Sequence, residues 1–312
     1  MFVAHCQLPL IRLIILWMSI FTVNASKKVV LLDTANSPTE LRWKTHSNMD
    51  EDEIGWLEET YRSSSGLENR RAYVVCNVEH PDVDNWLRTP RIERQGANRL
   101  HVETTFTMRD CSEFPGNART CKETFRLYAA QVNGNEELPD VWEEDKWELI
   151  GRITADIGRH STNDAAASAV NQDVHSFTVT KDVVYFAFRD SGACVSILNV
   201  KIFYEMCPEI TRSFVRFPQT TTGAEAHSII AVPGKCVSNA SPLGVVKQPT
   251  YVCKATGSWD MLNGECVCNP GFVASVKHNT CTGRLRFIFI FWLTSLIILP
   301  PLIHSTIGIV RY

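Results

Sequence analysis

Cysteine is the residue type whose number and spacing suggest the most chemistry in this chain. Setting aside Cys6, which lies in the apolar N-terminal segment, leaves an even number of cysteines, ten of the eleven. No Cys-x-x-Cys pair occurs, and Cys266-x-Cys268 is poorly spaced for tetrahedral zinc. The pattern favours five structural disulfides over a metal site and leaves their connectivity open.

The motifs of common catalytic sites are missing from the sequence. It contains no Gly-x-Gly-x-x-Gly, His-Arg-Asp or Asp-Phe-Gly motif of a kinase, no His-Glu-x-x-His zinc helix and no Gly-x-Ser-x-Gly elbow. The acidic runs Asp50 to Glu53 and Glu143 to Asp145 lack the glycine and spacing of a calcium loop, so they are typical of solvated loops. We therefore expect no catalytic residue, no metal and no cofactor.

The charge balance argues against a nucleic-acid partner. The 312 residues carry 31 basic and 34 acidic side chains without any block of Lys or Arg. Residues 26–283 hold 27 basic side chains (31 minus Arg12, Arg284, Arg286 and Arg311) and all 34 acidic ones, a net charge of −7. At 45% hydrophobic residues, the chain has enough apolar surface for a packed core.

Both ends of the chain are apolar. Residues 1–25 are typical of a secretory signal peptide, with an uncleaved anchor as the alternative. Within residues 284–312, the apolar run from Phe287 to Ile303 is just long enough to span a membrane, so we expect a single-pass anchor or the end of a truncated or alternatively spliced product. The chain is expected in the secretory pathway, at the plasma membrane with an extracellular N-terminus or secreted.

Short β-strands must position the remaining residues. Apolar residues alternate with polar ones over residues 100–109, which predicts a strand with Thr107 and Arg109 opposite its apolar face. Only Ala165 to Val170 hints at a helical turn. The chain is therefore predicted to be all-β, an antiparallel jelly-roll sandwich. Further strand-like runs are Val29 to Leu32, Tyr73 to Val75, Phe125 to Tyr128, Val183 to Phe188 and Val195 to Tyr204.

The distribution of the cysteines predicts two regions. Four are spread over residues 26–204, whereas six are crowded into residues 207–281. A sandwich held by a core is therefore expected over residues 26–206, and a small module held by disulfides over residues 207–283.

Several motifs resemble the ligand-binding domain of Eph receptors. The strings that carry the resemblance are Val30-Leu-Leu-Asp33, Val75-Cys-Asn-Val78, Asn85-Trp-Leu-Arg88, Phe106-Thr-Met-Arg-Asp-Cys111, Cys121-Lys-Glu-Thr-Phe125 and Gly192-Ala-Cys194. They occur in the family's order over nearly all of residues 28–206. Cys207-Pro, Phe217-Pro, Thr222-Gly-Ala-Glu225 and Gly234-Lys-Cys236 resemble the start of the family's cysteine-rich region.

The resemblance implies a jelly roll that binds ephrins, cell-surface proteins whose hydrophobic loop enters a channel closed by mobile loops, with clustering on the ligand as a further expectation. It implies a Cys76–Cys194 disulfide beside that channel and a Cys111–Cys121 disulfide closing a short loop. Arg109 is expected to face the channel as a donor for a carboxylate or carbonyl, although a solvated strand arginine is the alternative. The other channel candidates, of which the aliphatic ones could equally be core, are Thr107, Val75, Phe114, Ser196 and Leu198.

The sequence departs from the family pattern in two places. Arg152-Ile-Thr-Ala155 stands where the family carries Asp-Thr-Ile-Ala, and a divergent loop follows it through Asn171. The stretch Thr178 to Val184 lacks the family's Pro-Leu-Thr and Gly pattern. The class of ephrin is therefore not predicted.

The cysteine-rich region is interpreted by analogy with complement-type and EGF-like modules. Spacing predicts that Cys207 pairs with Cys253 and Cys236 with Cys266, with Trp259 packed beside them. Cys268 and Cys281 are then expected to form an EGF-like loop. Asn239-Ala-Ser241 is a glycosylation sequon followed by Pro242.

Three functional hypotheses follow from these patterns. The favoured one is an ephrin-binding module without a kinase in this chain, acting in cell-contact signalling or as a decoy that occupies ligand by mass action. A carbohydrate-binding jelly roll is the alternative, because fold does not fix function. A glycosidase with two opposed carboxylates is the third.

Overall fold

The computed structural model describes residues 26–37, 39–49, 55–62, 69–114, 116, 119–140, 142–156, 170–245 and 248–283. The predicted signal peptide, the apolar C-terminal segment, the acidic run Asp50 to Glu53 and nearly all of the predicted helical turn at Ala165 to Val170 lie outside these residues. The described helical elements are three short 3-10 turns, Thr34–Asn36, Cys111–Glu113 and Glu144–Lys146.

Two antiparallel sheets form the predicted sandwich. The first contains seven strands: β1 (Lys27–Asp33), β3 (Leu57–Arg62), β4 (Asn69–Cys76), β7 (Arg99–Met108), β10 (Asn171–Thr178), β12 (Cys194–Cys207) and β15 (Thr220–Thr221). The second contains six: β2 (Lys44–Ser47), β5 (Asn85–Arg88), β6 (Ile92–Glu93), β8 (Thr124–Val132), β9 (Glu148–Thr154) and β11 (Val183–Asp190).

The strand order brings distant parts of the chain together. The first sheet runs β10-β7-β12-β4-β3, and β1 and β15 also pair with the long strand β12. The second runs β2-β5-β11-β8-β9, with β6 beside β11. Every described pairing within these two sheets is antiparallel. The fold class predicted from alternation is confirmed.

The core lies between the two sheets, and the alternation on β7 shows why. Its even-numbered side chains from Leu100 to Met108 are buried, whereas the intervening ones are only half-buried. Phe106 of the first sheet meets Phe125 of the second edge to face, with ring centroids 5.2 Å apart. Apolar burial of this kind stabilises by about 25 cal/mol per Å². The largest fully buried side chains here include Phe186, Phe188, Leu100, Leu127 and Ile153.

An irregularity divides β12 into two halves. Pairing with β7 moves from Ile197–Phe106 to Asn199–Thr105, so Leu198 is an extra residue. Because side chains alternate along a strand, this bulge changes which residues face the core. Val195 and Ile197 are buried before it, and Val200 and Ile202 after it.

The small strands that follow are tied together by disulfides and one aromatic cluster. Cys207 bonds to Cys253, Cys236 to Cys266 and Cys268 to Cys281. Tyr251 packs between Phe217 and Trp259, with ring centroids 5.2 and 5.1 Å away. The strands are β13 (Ile210–Arg212), β14 (Val215–Phe217), β16 (Ile229–Pro233), β17 (Lys235–Cys236), β18 (Ala240–Pro242), β19 (Thr250–Lys254), β20 (Trp259–Asn263), β21 (Cys266–Cys268), β22 (Phe272–Ser275) and β23 (Thr280–Gly283).

The two regions share a strand. β12 continues through the predicted boundary at residues 206 and 207, and its end pairs with β15. The indole Nε1 of Trp259 donates to the carbonyl of Pro208 at 2.7 Å, just beyond that strand. The disulfide-rich region is therefore anchored directly on the sandwich.

Candidate ligand-binding channel

A cavity of about 400 Å³ lies on the outer face of the first sheet, over the ends of β3, β4, β12 and β7. Strand register places Leu57, Val74, Ser196 and Thr107 side by side across these four strands. Next to this row, Cys76 faces Cys194, whose carbonyl accepts the backbone N–H of Arg109 at 2.9 Å. The two rows form the floor, because side chains two apart share one face of a strand.

A disulfide crosses this floor. Cys76 and Cys194 are paired residues on neighbouring strands and are joined by a bond that closes a loop of 118 residues. Cys111 and Cys121 are joined across a separation of 10 residues beside the cavity. These are the two pairs that the resemblance implies for the sandwich.

A buried polar network fixes the chain where it enters β12. The Asp190 carboxylate accepts the backbone N–H of Gly192 at 3.1 Å and that of Ala193 at 2.6 Å. The Asn85 amide donates to Asp190 at 3.2 Å and to Asn77, a cavity-lining residue, at 3.1 Å. Burial raises the pKa of Asp190 above its ordinary value, although these donors oppose the rise.

Gly192 is required by the turn that this network holds. Its φ of +107° lies in the region that glycine favours, and an added Cβ would lie 2.7 Å from the carbonyl oxygen of Thr120. Thr120 in turn donates its hydroxyl to the carbonyl of His80 at 2.6 Å. The turn therefore packs against the loop closed by Cys111 and Cys121.

Arg109 is the only charged side chain among the described residues that line the cavity. Its Nε donates to Glu113 Oε2 at 2.9 Å, and its guanidinium lies 4.5 Å from the centre of the Phe114 ring. Asp110 and Glu113 cap the short turn between them, and Ser112 N–H donates to Asp110 at 2.7 Å. Since 53% of the arginine side chain remains exposed, it can bind a further acceptor.

Of the eight residues expected in or beside the channel, the two cysteines included, the structure brings six to this cavity. Arg109, Thr107, Cys76, Cys194 and Ser196 line it from the outer face. Val75 also borders it, but its side chain is 3% exposed and belongs to the core.

Two candidates do not line the cavity. Phe114 reaches it only through its contact with Arg109. Leu198 was expected there as one of the residues flanking the channel cysteines, but it is the extra residue of the bulge and is absent from the lining.

Sequence reasoning missed several lining residues. Leu57, Val74, Asn77 and Gly55 also border the cavity. Alternation along β4 could have predicted Val74, because side chains two residues apart share one face and Cys76 was already expected beside the channel. Leu57 can be recognised as a lining residue only when β3 is known to pair with β4.

The sequon residue Asn239 lies in a left-handed turn. Its φ is +63°, the residue is exposed, and its amide donates to the carbonyl of Cys281 at 3.5 Å. Glycosylation at this position remains a prediction.

Two family models match adjacent parts of the chain. The family model described as "Ephrin receptor ligand binding domain" matches residues 29–207, and that described as "Ephrin cysteine rich domain" matches residues 208–268. The sandwich, its cavity and the disulfide-rich region therefore define a ligand-binding region of the ephrin-receptor class. The chain belongs to the ephrin receptor ligand binding domain family.

Similar proteins are themselves ephrin receptors. Ephrin type-B receptor 5 of Gallus gallus is 36% identical over 275 residues, which cover 85% of this chain and 27% of that protein. Ephrin type-B receptor 2 of Gallus gallus is 34% identical over 283 residues, covering 89% and 26%. Ephrin type-A receptor 3 of Danio rerio is 36% identical over 248 residues, covering 78% and 24%. The chain spans about a quarter of the length of these relatives.

Structural likeness adds no argument about function. A carbohydrate binding module from Cellvibrio mixtus lichenase 5A matches 56% of this chain, and 97% of its own, at 10% identity and a TM-score of 0.30. Such a score does not support the carbohydrate-binding alternative. Within the part of the chain that the structure describes, no helix has the length and apolar character needed to cross a bilayer.

Proposed function

We propose that this chain binds ephrins through the cavity over the Cys76–Cys194 disulfide. One observation supports this most directly: within a domain of the ephrin-receptor family, a cavity of about 400 Å³ has an apolar and hydroxyl-bearing floor and one available cation. A protein loop suits such a site, because rigid strands fix the floor while neighbouring loops adapt.

Each part of the floor has a separate role in this mechanism. Leu57 and Val74 offer apolar surface to a hydrophobic side chain of the entering loop. Thr107 and Ser196 offer hydroxyls to its backbone. Arg109 exchanges part of its contact with Glu113 for a carboxylate or carbonyl of the ligand, while Phe114 holds the guanidinium in place.

The proposed activity is binding, with no catalytic step in this chain. The five disulfides suit a protein that matures in the secretory pathway and acts at the cell surface or after secretion. Attachment through residues 284–312 and clustering on the ligand remain predictions.

The test is binding of the full chain, produced in a secretory host, to a panel of immobilised ephrin ectodomains. Ser196→Trp places a bulky ring on the cavity floor, so it should abolish saturable binding. Ser176→Trp is the matched control, because Ser176 is exposed on β10 of the same sheet and does not line the cavity. Flat traces from folded parent protein, or equal binding by both variants, would refute the proposal.

A further inference from the structure

Three arginines lie side by side on the outer face of the second sheet. Arg152 of β9 pairs with Arg126 of β8, and Arg126 pairs with Arg189 of β11. Lys122 lies beyond one end of this arrangement. We call Arg126, Arg152, Arg189 and Lys122 the basic row. With Thr124, Phe125 and Ser191, they line a cavity of about 280 Å³.

Among the described residues, carboxylates form ion pairs with only two of the four cations in the basic row. Arg189 donates to Asp84 at 2.6 Å and also to Glu144, which lies 3.4 Å from Arg126. Neither Arg152 nor Lys122 forms an ion pair with any described residue, and no described carboxylate lines the cavity. Lys122 interacts electrostatically with the Asp190 carboxylate. That carboxylate is buried and already accepts two backbone N–H groups.

This concentration of positive charge needs an explanation. Like charges directly opposite on neighbouring strands are destabilising, and here they occur twice in succession. They do so in a region, residues 26–283, whose net charge is −7. An anion bound across the row would offset the repulsion between the arginines.

The chemistry of the row indicates what kind of anion fits. Guanidinium forks bind the oxygens of tetrahedral anions in pairs, and the hydroxyls of Thr124 and Ser191 can add hydrogen bonds. The cavity is open and small, so it suits individual anionic groups carried on a longer molecule. In an oxidising extracellular setting, the polyanion that carries such groups densely is a sulfated polysaccharide.

We propose that the basic row binds sulfate groups of an extracellular sulfated polysaccharide. The row lies on the outer face of the second sheet, whereas the proposed ephrin site lies on the outer face of the first. A polysaccharide and a protein ligand can therefore occupy the chain together. The inference does not depend on the proposed ephrin binding.

The experiment measures binding of the full chain to immobilised heparin over a range of NaCl concentrations. The Lys122→Ala/Arg152→Ala variant removes the two cations that form no ion pair with a described residue, so the fold should be retained. Its affinity should fall about tenfold or more, and the slope of log affinity against log salt should become shallower. Lys235→Ala/Lys277→Ala loses the same charge from exposed positions in the disulfide-rich region and should change affinity less than about twofold.

Two further arms distinguish the sulfate chemistry from general charge. Chemically desulfated heparin should not compete, whereas free inorganic sulfate should compete weakly at high concentration. Ephrin binding measured on the same variants reports their folding and tests the other site separately. Undetectable heparin binding by the parent chain at physiological salt, equal loss in both double variants, or equal competition by desulfated heparin would overturn the proposal.

Discussion

At the residue scale, Arg109 shows how a side chain is prepared for a ligand. Glu113 holds its Nε at 2.9 Å and Phe114 lies under its guanidinium, yet half of the side chain remains exposed. The alternation on β7 placed Arg109 on the outer face correctly. Its contact with Glu113 was not predictable, because it depends on a three-residue turn rather than on a helix with regular spacing.

The Gly192 turn gives a prediction at the same scale. Gly192→Ala should lower the free energy of unfolding by about 2 kcal/mol or more, because it adds a clash with Thr120 to an unfavourable φ. Gly244→Ala is the control, since its φ is +74° and no atom lies within 4 Å of the added Cβ. It should cost about 1 kcal/mol. Equal losses in urea unfolding would contradict the role of the contact with Thr120.

At the element scale, β12 shows where sequence reasoning stops. Its apolar residues alternate at odd positions up to Ile197 and at even positions from Val200. A bulge at Leu198 reconciles the two patterns, but its position follows from pairing with β7. Leu198, which was expected in the channel, is absent from the cavity lining because of this bulge. Asp190 and Asn85 were missed for a similar reason, because they are 105 residues apart and meet only through pairing of β11 with β5.

Removing the disulfide between β4 and β12 should cost more stability than removing one that closes a short loop. In the chain-entropy model, Cys76→Ala/Cys194→Ala should cost about 4–5 kcal/mol of stability, because the closed loop is long. Cys268→Ala/Cys281→Ala opens a loop with a separation of only 13 residues and should cost about 3 kcal/mol. Urea unfolding of both variants checks the order. A smaller loss for the first variant would contradict it.

Glu58 joins a loop to the edge of the first sheet. Its carboxylate accepts the N–H groups of Leu41 and Arg42 at 2.7 and 2.9 Å, Arg71 Nε at 2.8 Å and the Tyr73 hydroxyl at 3.0 Å. Burial raises the pKa of Glu58, but these four donors outweigh burial and leave the pKa below its ordinary value. The charged form is therefore favoured by folding.

The stability that Glu58 contributes should decrease as the solution is acidified. Because the pKa is lower in the folded state, the stability from Glu58 is present above its unfolded pKa and is lost as pH falls through the folded pKa. Glu58→Gln should destabilise near neutral pH, and its difference from the parent should shrink as the solution is acidified. Glu59→Gln, at an exposed neighbour, is the control. A difference in unfolding free energy that does not vary with pH would contradict this account.

At the scale of the whole molecule, the two proposed binding surfaces lie on opposite outer faces of one sandwich. Strand alternation predicted the sandwich. The resemblance implied two of the described disulfide pairs, and spacing read by analogy with complement-type and EGF-like modules predicted the other three. These patterns did not reveal the basic row, because its three arginines lie on separate strands and become neighbours only through sheet register.

The cavity beside Arg109 is the proposed site for a protein ligand. The most direct test compares the affinity of the parent chain, Arg109→Ala and Arg216→Ala for the ephrin ectodomain that binds best. Arg216 is a matched control, because it forms an exposed 2.7 Å ion pair with Glu209 in the disulfide-rich region. Arg109→Ala should weaken binding about 30-fold or more, as expected for an arginine at the centre of an interface, and Arg216→Ala should not change it. Equal affinity of all three proteins would contradict the account.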